Sequence, residues 1–223
     1  MSNEELSRKI RELAANQPAS GREIELRSSR IIDEQLAHME LDRTVLPIAR
    51  RIIHATADFS FGQSLRVDPG AAERAAEAMA AGRPIICDVR MLQAGITKTG
   101  CEVLCAIDNP QVVEMADSKG TTRAAAAMNA LADRMDGAIV AIGNAPTALW
   151  RVLQLAADGR AAPAVVVGLP VGLVGAAESK QALIESGLCY VSNVGPRGGS
   201  PVAAAAVNAL AMLARNPAMT DTG

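Results

Sequence analysis

The sequence predicts an α/β protein: one three-layer domain over residues 1–223, with a mainly parallel central sheet flanked by helices and a helical N-terminal segment. Three observations predict it. Beyond Asp68, short apolar runs alternate with helix-length, alanine-rich segments, which is the pattern of parallel strands buried on both faces. The first sixty residues carry helical spacing instead. At 223 residues, 49% hydrophobic and 21% charged, the chain is long enough and apolar enough for a sizeable core. No internal repeat or low-complexity linker divides it.

The elements follow in order. Pro18-Ala19-Ser20-Gly21 breaks the first helical segment, and Glu23 to Met39 resumes with Ile24, Ile31, Ile32 and Leu36 near helical spacing. Leu46 to His54 reads as a short helix with Pro47 tolerated in its first turn. In that register Arg50 and Arg51 precede His54 by four and three residues, so either can share its face. Pro69 to Ala81 is helical and stops at Gly82. Strands are expected at Pro84–Val89, Glu102–Ile107, Ala138–Ile142 and Ala164–Val167, and helices at Thr122–Met135, Leu149–Ala157 and Pro201–Leu213.

Composition excludes several functions. Two Phe, one Trp and one Tyr leave little to stack on bases, and a net charge of −2 gives no basic footprint, so nucleic acid is not an expected partner. Any anionic ligand must be met by locally placed cations and backbone amides. The N-terminus has no apolar core of signal-peptide length, and no run approaches the roughly 18 apolar residues of a membrane span. No membrane partner is expected, and the expected compartment is the cytoplasm. Cys87, Cys101, Cys105 and Cys189 could form two disulfides by count, but reduced core thiols are the expectation there. Cys101 and Cys105 lie four apart, yet no second pair or nearby histidine completes a metal site.

Three turn-rich segments follow strand candidates: Gly143–Thr147, Gly168–Gly175 and Gly195–Ser200. One such segment is ordinary loop punctuation; three at one sheet edge suggest a ligand cleft, since ligands of open α/β sheets sit beyond the strands' carboxyl ends. Ser200 is the expected N-cap of the last helix, with Pro201 in its first position and Arg197 nearby to meet an anion. Thr121-Thr122-Arg123 opens another helix in the same manner. No dinucleotide fingerprint or P-loop is present, so phosphate and carboxylate fit these loops equally well. Of two histidines, His38 lies among polar neighbours and reads as a surface residue. His54 ends an apolar helix; taken alone a structural role is the commoner one, but its neighbouring arginines and near-neutral titration suit acid–base chemistry. No G-x-S-x-G elbow or paired-carboxylate motif competes with it.

Several blocks, in order, resemble the precorrin-8X methylmutase (precorrin isomerase) family, including its cobalt-precorrin-8 branch. They are Arg51–Phe59, Ile85–Met91, Ala141–Leu149, Gly168–Gly172 through Gly175–Lys180, and Gly198–Ser200, and the likeness runs from about Ile24 to Ala211. The resemblance implies an isomerase of cobalamin biosynthesis that moves a methyl group from C-11 to C-12 of a corrinoid precursor. Such an enzyme needs no redox cofactor and no metal of its own. It places the family's catalytic histidine on His54 and substrate contacts on Ser28, Arg51 and Arg123. The loop argument adds Asn144, Thr147, Lys180, Arg197 and Ser200, because acetate and propionate arms favour guanidinium and hydroxyl partners. The resemblance also implies a homodimer with active sites near the subunit interface. His-Ala-Thr-Ala-Asp-Phe at 54–59 is closer to the cobalt branch than to the H-A-C-G sequences of the cobalt-free one. A non-catalytic corrinoid carrier and an unrelated α/β enzyme acting on a phosphorylated ligand are the alternatives.

Overall fold

The structure is a computed structural model that describes residues 3–14, 20–97 and 99–216. The break expected at Pro18-Ala19 lies outside the described residues. Two helices open the chain, α1 (Asn3–Ala14) and α2 (Gly21–Leu36), the latter capped by Ser20, whose side chain accepts from the Glu23 amide. Then come α3 (Leu46–Thr56), the short α4 (Ser60–Ser64) and β1 (Leu65–Val67).

From there strands and helices alternate: α5 (Ala71–Ala80), β2 (Ile85–Cys87), α6 (Arg90–Gly95), β3 (Val103–Leu104), α7 (Pro110–Lys119), α8 (Arg123–Ala130), β4 (Ile139–Ile142), α9 (Pro146–Ala157), β5 (Val165–Gly168), α10 (Ala176–Glu185), β6 (Tyr190–Asn193) and α11 (Ser200–Arg215). The strands form one sheet in the order β1-β6-β5-β4-β2-β3. All neighbours are parallel except β1 and β6. Every residue of β2, β4 and β5 is buried, as the unbroken apolar runs require for strands covered on both faces.

Alternate strand residues feed two cores. On one face Ile85, Ile139, Val165 and Val191 meet Ile48, Ile52, Ile53 and α11; on the other Ile86, Val140, Val166 meet Met128, Leu149 and Val152. The central helix of the first face is α11, which packs against α3, α5 and α6. Its run of alanines between Ala203 and Ala211 is buried on nearly all sides, and small side chains let the surrounding helices approach closely.

The architecture matches the predicted class, with local differences. The expected helix to Met135 ends at Ala130 and tightens into a 3₁₀ turn at Ala132–Arg134, which swings Met135 fully into the core. Ser200 is not the cap of α11: Gly199 is, with φ 125°, and Ser200 is the first helical residue and buried. β1 falls where no strand is expected, because three residues are too short to show alternation. Its consequence is large. It runs antiparallel, with Leu65 opposite Asn193 at the carboxyl end of β6, so the chain entering β1 lies at the carboxyl edge of the parallel strands.

Candidate active site

α3 buries Ile48, Ala49, Ile52 and Ile53 as one stripe and leaves Arg50, Arg51 and His54 exposed on the opposite face. The helix ends at Ala57, which has φ 54° and is the one non-glycine with positive φ among the described residues; its amide caps back onto the Ile53 carbonyl. Thr56 Oγ1 donates to the Ile52 carbonyl and accepts from the Asp58 amide, so the turn after His54 is held from both sides. Arg50 is taken up by Asp33 of α2 at 2.7 Å. Arg51 has no ion-pair partner among the described residues, which makes it, rather than Arg50, the cation available beside His54.

Two clefts open between α2 and α3, and His54 lines both. One, about 270 Å³, adds Glu25, Ser29, Arg50, Arg51 and Met212. The other, about 180 Å³, adds Ser28, Ile31, Ile53, Ala57 and Phe59. Ser28, distant in sequence, therefore shares one cleft with His54, and Arg51 shares the other. A larger cleft of about 510 Å³, lined by Pro47, Ala72, Glu73, Ala76 and Leu213 among others, contains none of the residues that the sequence nominates, so size does not mark the chemistry.

The three turn-rich loops interlock at the same sheet edge. Asp88, fully buried just beyond β2, accepts from the amides of Gly143 (3.1 Å), Asn144 (2.8 Å) and Ala145 (2.8 Å). β2 and β4 flank the point where the strand order reverses, the usual crevice of an open α/β sheet. Burial pushes the Asp88 carboxyl above its ordinary value, and the three amides offset only part of that rise. These amides are thereby spoken for, and Asn144 and Thr147 are left exposed on the loop they shape. Thr147 Oγ1 shares a 2.7 Å hydrogen bond with Thr122, the N-cap of α8, which places Arg123 beside them. Arg123 is exposed and without an ion-pair partner among the described residues.

Gly198 lies so close to the loop after β5 that a Cβ there would stand 2.5 Å from the Pro170 carbonyl oxygen and nearer still to that of Leu169. The Gly199 amide donates to Leu169 O at 2.8 Å and the Gly172 amide to Pro196 O at 3.1 Å. Arg197 reaches out of this loop, and its Nη1 meets Asp58 Oδ2 and Ser60 Oγ, each at 2.5 Å. The Ser60 side chain and amide, together with the Arg197 guanidinium, hold the Asp58 carboxyl below the usual carboxylate range against a smaller effect of burial. Because antiparallel β1 brings residues 58–64 to this edge, Arg197 stands next to the end of α3 that carries His54.

Two nominated residues do not line the site. Lys180 is wholly buried, its ammonium bonded to Asn193 Oδ1 (3.0 Å) and the Arg197 carbonyl (2.5 Å), and so it cannot meet a ligand. Ser200 is buried in the first turn of α11 against Gly143, whose Cβ would fall 2.9 Å from the Ser200 Cα. The Arg123–Asn144–Thr147 group shares the sheet edge with His54, but among the described residues no hydrogen bond or ion pair joins the two. Asp58, Ser60, Asp88 and Asn193 were not nominated. An acid directly after the apolar run Ile85-Ile86-Cys87 was the available signal for Asp88, and Asp58 lies within the Arg51–Phe59 block; nothing in the sequence pointed to Ser60 or Asn193.

A parallel sheet whose carboxyl edge gathers unpaired arginines, hydroxyls and an exposed histidine defines an α/β enzyme of the open-sheet class. Residues 23–213 match the family model described as precorrin-8X methylmutase. The chain is 40% identical over 197 residues to the cobalt-precorrin-8 methylmutase of Priestia megaterium, covering 86% of this chain and 88% of that protein. It is 43% identical over 170 residues to the precorrin-8X methylmutase of Pseudomonas aeruginosa, covering 74% and 82%. The crystal structure of the Thermus thermophilus precorrin-8X methylmutase superposes with a TM-score of 0.80 at 39% identity, covering 88% of this chain and 98% of that one. The chain belongs to the precorrin-8X methylmutase family and is an isomerase of cobalamin biosynthesis.

Proposed function

We propose that this chain moves a methyl group from C-11 to C-12 of precorrin-8X or cobalt-precorrin-8, giving hydrogenobyrinic or cobyrinic acid, with His54 as general acid. The observation that carries the mechanism is His54 itself: exposed, on a helix end fixed by two side-chain contacts of Thr56, and lining both clefts beside Ser28 and the unpaired Arg51. His54 lends a proton, or a hydrogen bond, to a ring nitrogen near the migrating methyl. That draws electron density from the conjugated ring, the methyl migrates within the molecule with its bonding electrons, and the proton returns to His54. General-acid help of this kind accelerates a step by about 100- to 10,000-fold; orientation of the macrocycle supplies the rest. Ser28, Arg51, Arg123, Asn144 and Thr147 bind the carboxylate arms, and Arg197, more exposed than Arg50 and held by Asp58 and Ser60 through Nη1 alone, offers its Nη2 and Nε donors to another arm.

Residues 1–223 act as one domain in this reading, supported by the packing of α2 to α11 on a single sheet. The protein works as a homodimer. Clefts of about 270 and 180 Å³ fall below the roughly 300 Å³ at which drug-sized ligand pockets begin, so a macrocycle needs further walls. Ile31, exposed on α2, lines the smaller cleft with His54, and Ile24, two turns earlier on the same helix face, is exposed as well; together they offer an apolar strip for a second copy. The proposed compartment is the cytoplasm, in keeping with four free cysteines; no helix among the described residues is long and apolar enough to cross a membrane.

The test is incubation of the purified protein with each precursor, with and without cobalt, while the corrinoid spectrum is followed. Native protein is expected to change the spectrum, and His54→Ala to bind the macrocycle but convert it at least about 100-fold more slowly. Normal turnover by His54→Ala refutes the role of His54. Binding of product without any conversion by the native protein refutes the isomerase in favour of a carrier.

A further inference from the structure

Lys180 presents a puzzle that the substrate site does not absorb. It is among the largest fully buried side chains of the described residues, facing inward from α10, which packs on α9 and β6. Among the described residues no carboxylate stands within ion-pair distance of it. Burial alone draws its ammonium down to about 8. A methionine would fill similar volume without removing a charge from water, so packing does not explain a lysine here.

What methionine lacks is the donor. The ammonium grips the Arg197 carbonyl at 2.5 Å and Asn193 Oδ1 at 3.0 Å. Asn193 Nδ2 donates to the same Arg197 carbonyl at 3.1 Å and to Val194 O at 3.3 Å. The Arg197 carbonyl is therefore turned inward by two donors, while the next two residues are pressed against the loop after β5 through Gly198 and the Gly199 amide. With its backbone fixed on the inside, Arg197 points its side chain outward, 61% exposed, onto Asp58 and Ser60. Asp58 in turn is tied to the closing turn of α3, four residues beyond His54.

We propose that Lys180 is a positioning residue for Arg197: its buried donor, working with Asn193, orients the Gly195–Gly199 loop so that the Arg197 guanidinium stands at the rim of the site beside His54. The proposal rests on the reading of Arg197 as a contact for a substrate carboxylate. Lys180 touches no substrate itself; it acts through one backbone oxygen.

A double-mutant cycle separates this role from general support of the fold. Lys180→Met, Arg197→Ala and the combination are compared with wild type for KM and kcat on the precursor and for Kd of the corrinoid product. Lys180→Met is expected to raise KM and Kd about tenfold, the loss of one charge-assisted contact, with kcat within about twofold. In the Arg197→Ala background the same change is expected to add less than about twofold, because the carbonyl remains but the side chain it aims is gone. An undiminished effect in that background overturns the proposal. Should Lys180→Met not fold, Asn193→Ala removes the partner donor and carries the same expectation and the same refutation. The crystal structure of either variant gives an arm independent of turnover: Arg197 is expected to leave Asp58 and Ser60, and an unchanged Arg197 overturns the proposal. Absence of turnover by the wild type would refute the functional reading and leave this structural result to decide on Lys180.

Discussion

Replacing Asp88 by asparagine tests how the crevice loop is built. Asp88 is fully buried, and its two oxygens accept three amides: Oδ1 takes Gly143, and Oδ2 takes Asn144 and Ala145. Asparagine has the same shape but one acceptor. If its carbonyl keeps the two 2.8 Å bonds, its NH₂ group faces the Gly143 amide, donor against donor. One buried amide without an acceptor costs about 1–3 kcal/mol, and two remaining bonds that lose charge assistance cost roughly another 1 kcal/mol. The expected loss is about 2–4 kcal/mol, or roughly 4–16 °C in Tm for a chain of this size. Urea unfolding at neutral pH measures it, alongside KM, which should rise because Asn144 and Thr147 sit on the loop these amides shape. Asp88→Ala, leaving three amides unmet, should cost more than Asp88→Asn. A stability for Asp88→Asn within about 0.5 kcal/mol of wild type would refute the reasoning, since it would mean that water satisfies these amides equally well.

Other outcomes follow from the same contacts. Arg51→Ala and Arg123→Ala should each raise KM roughly 10- to 100-fold, whereas Arg50→Ala, whose guanidinium is engaged by Asp33, should change KM less than about threefold; equal effects of the three in steady-state kinetics would refute the assignment. Gly198→Ala should cost about 1–3 kcal/mol in thermal unfolding and weaken product binding, because its Cβ meets backbone carbonyls that cannot rotate away. The alkaline limb of stability has two opposing parts. The folded state holds Lys180 near 8 against an ordinary 10.5, so between those values the unfolded chain binds more protons and this group's contribution rises with pH. Burial raises the thiols of Cys87 and Cys189 above their ordinary 9.0, that of Cys189 to about 12, so above pH 9 they make stability fall. Lys180→Met should therefore lose Tm more steeply than wild type between pH 8 and 10.5, and parallel curves would refute the shift.

The α/β class, most of the strands and the outward position of His54 were legible because each rests on local chemistry. Ile139–Ile142 and Val165–Gly168 announce themselves as strands by unbroken apolar runs, and the stripe Ile48, Ala49, Ile52, Ile53 forces Arg51 and His54 outward. The candidate residues Ser28, Arg51 and Arg123 also fall on exposed or half-buried positions that a ligand can reach. Lys180 misled, since the sequence marks a lysine near a glycine-rich loop and not the direction in which its helix turns it. The contacts of Asp58 and Asn193 were invisible for the complementary reason: one reaches a residue more than a hundred positions away, the other a backbone oxygen that carries no sequence signature.

The sequence by itself determined the periodicities, the loops rich in glycine and the one histidine with cations at helical spacing, because these depend on neighbours within a turn or a strand. Only the tertiary structure decided that they gather at one edge of the sheet. That decision rests on β1: three residues pair antiparallel with β6, so the end of α3 arrives at the carboxyl edge of the sheet and Asp58 comes within reach of Arg197. Strand pairing is a matter of long-range hydrogen bonding between backbones, and a backbone is the same for every sequence that could form it.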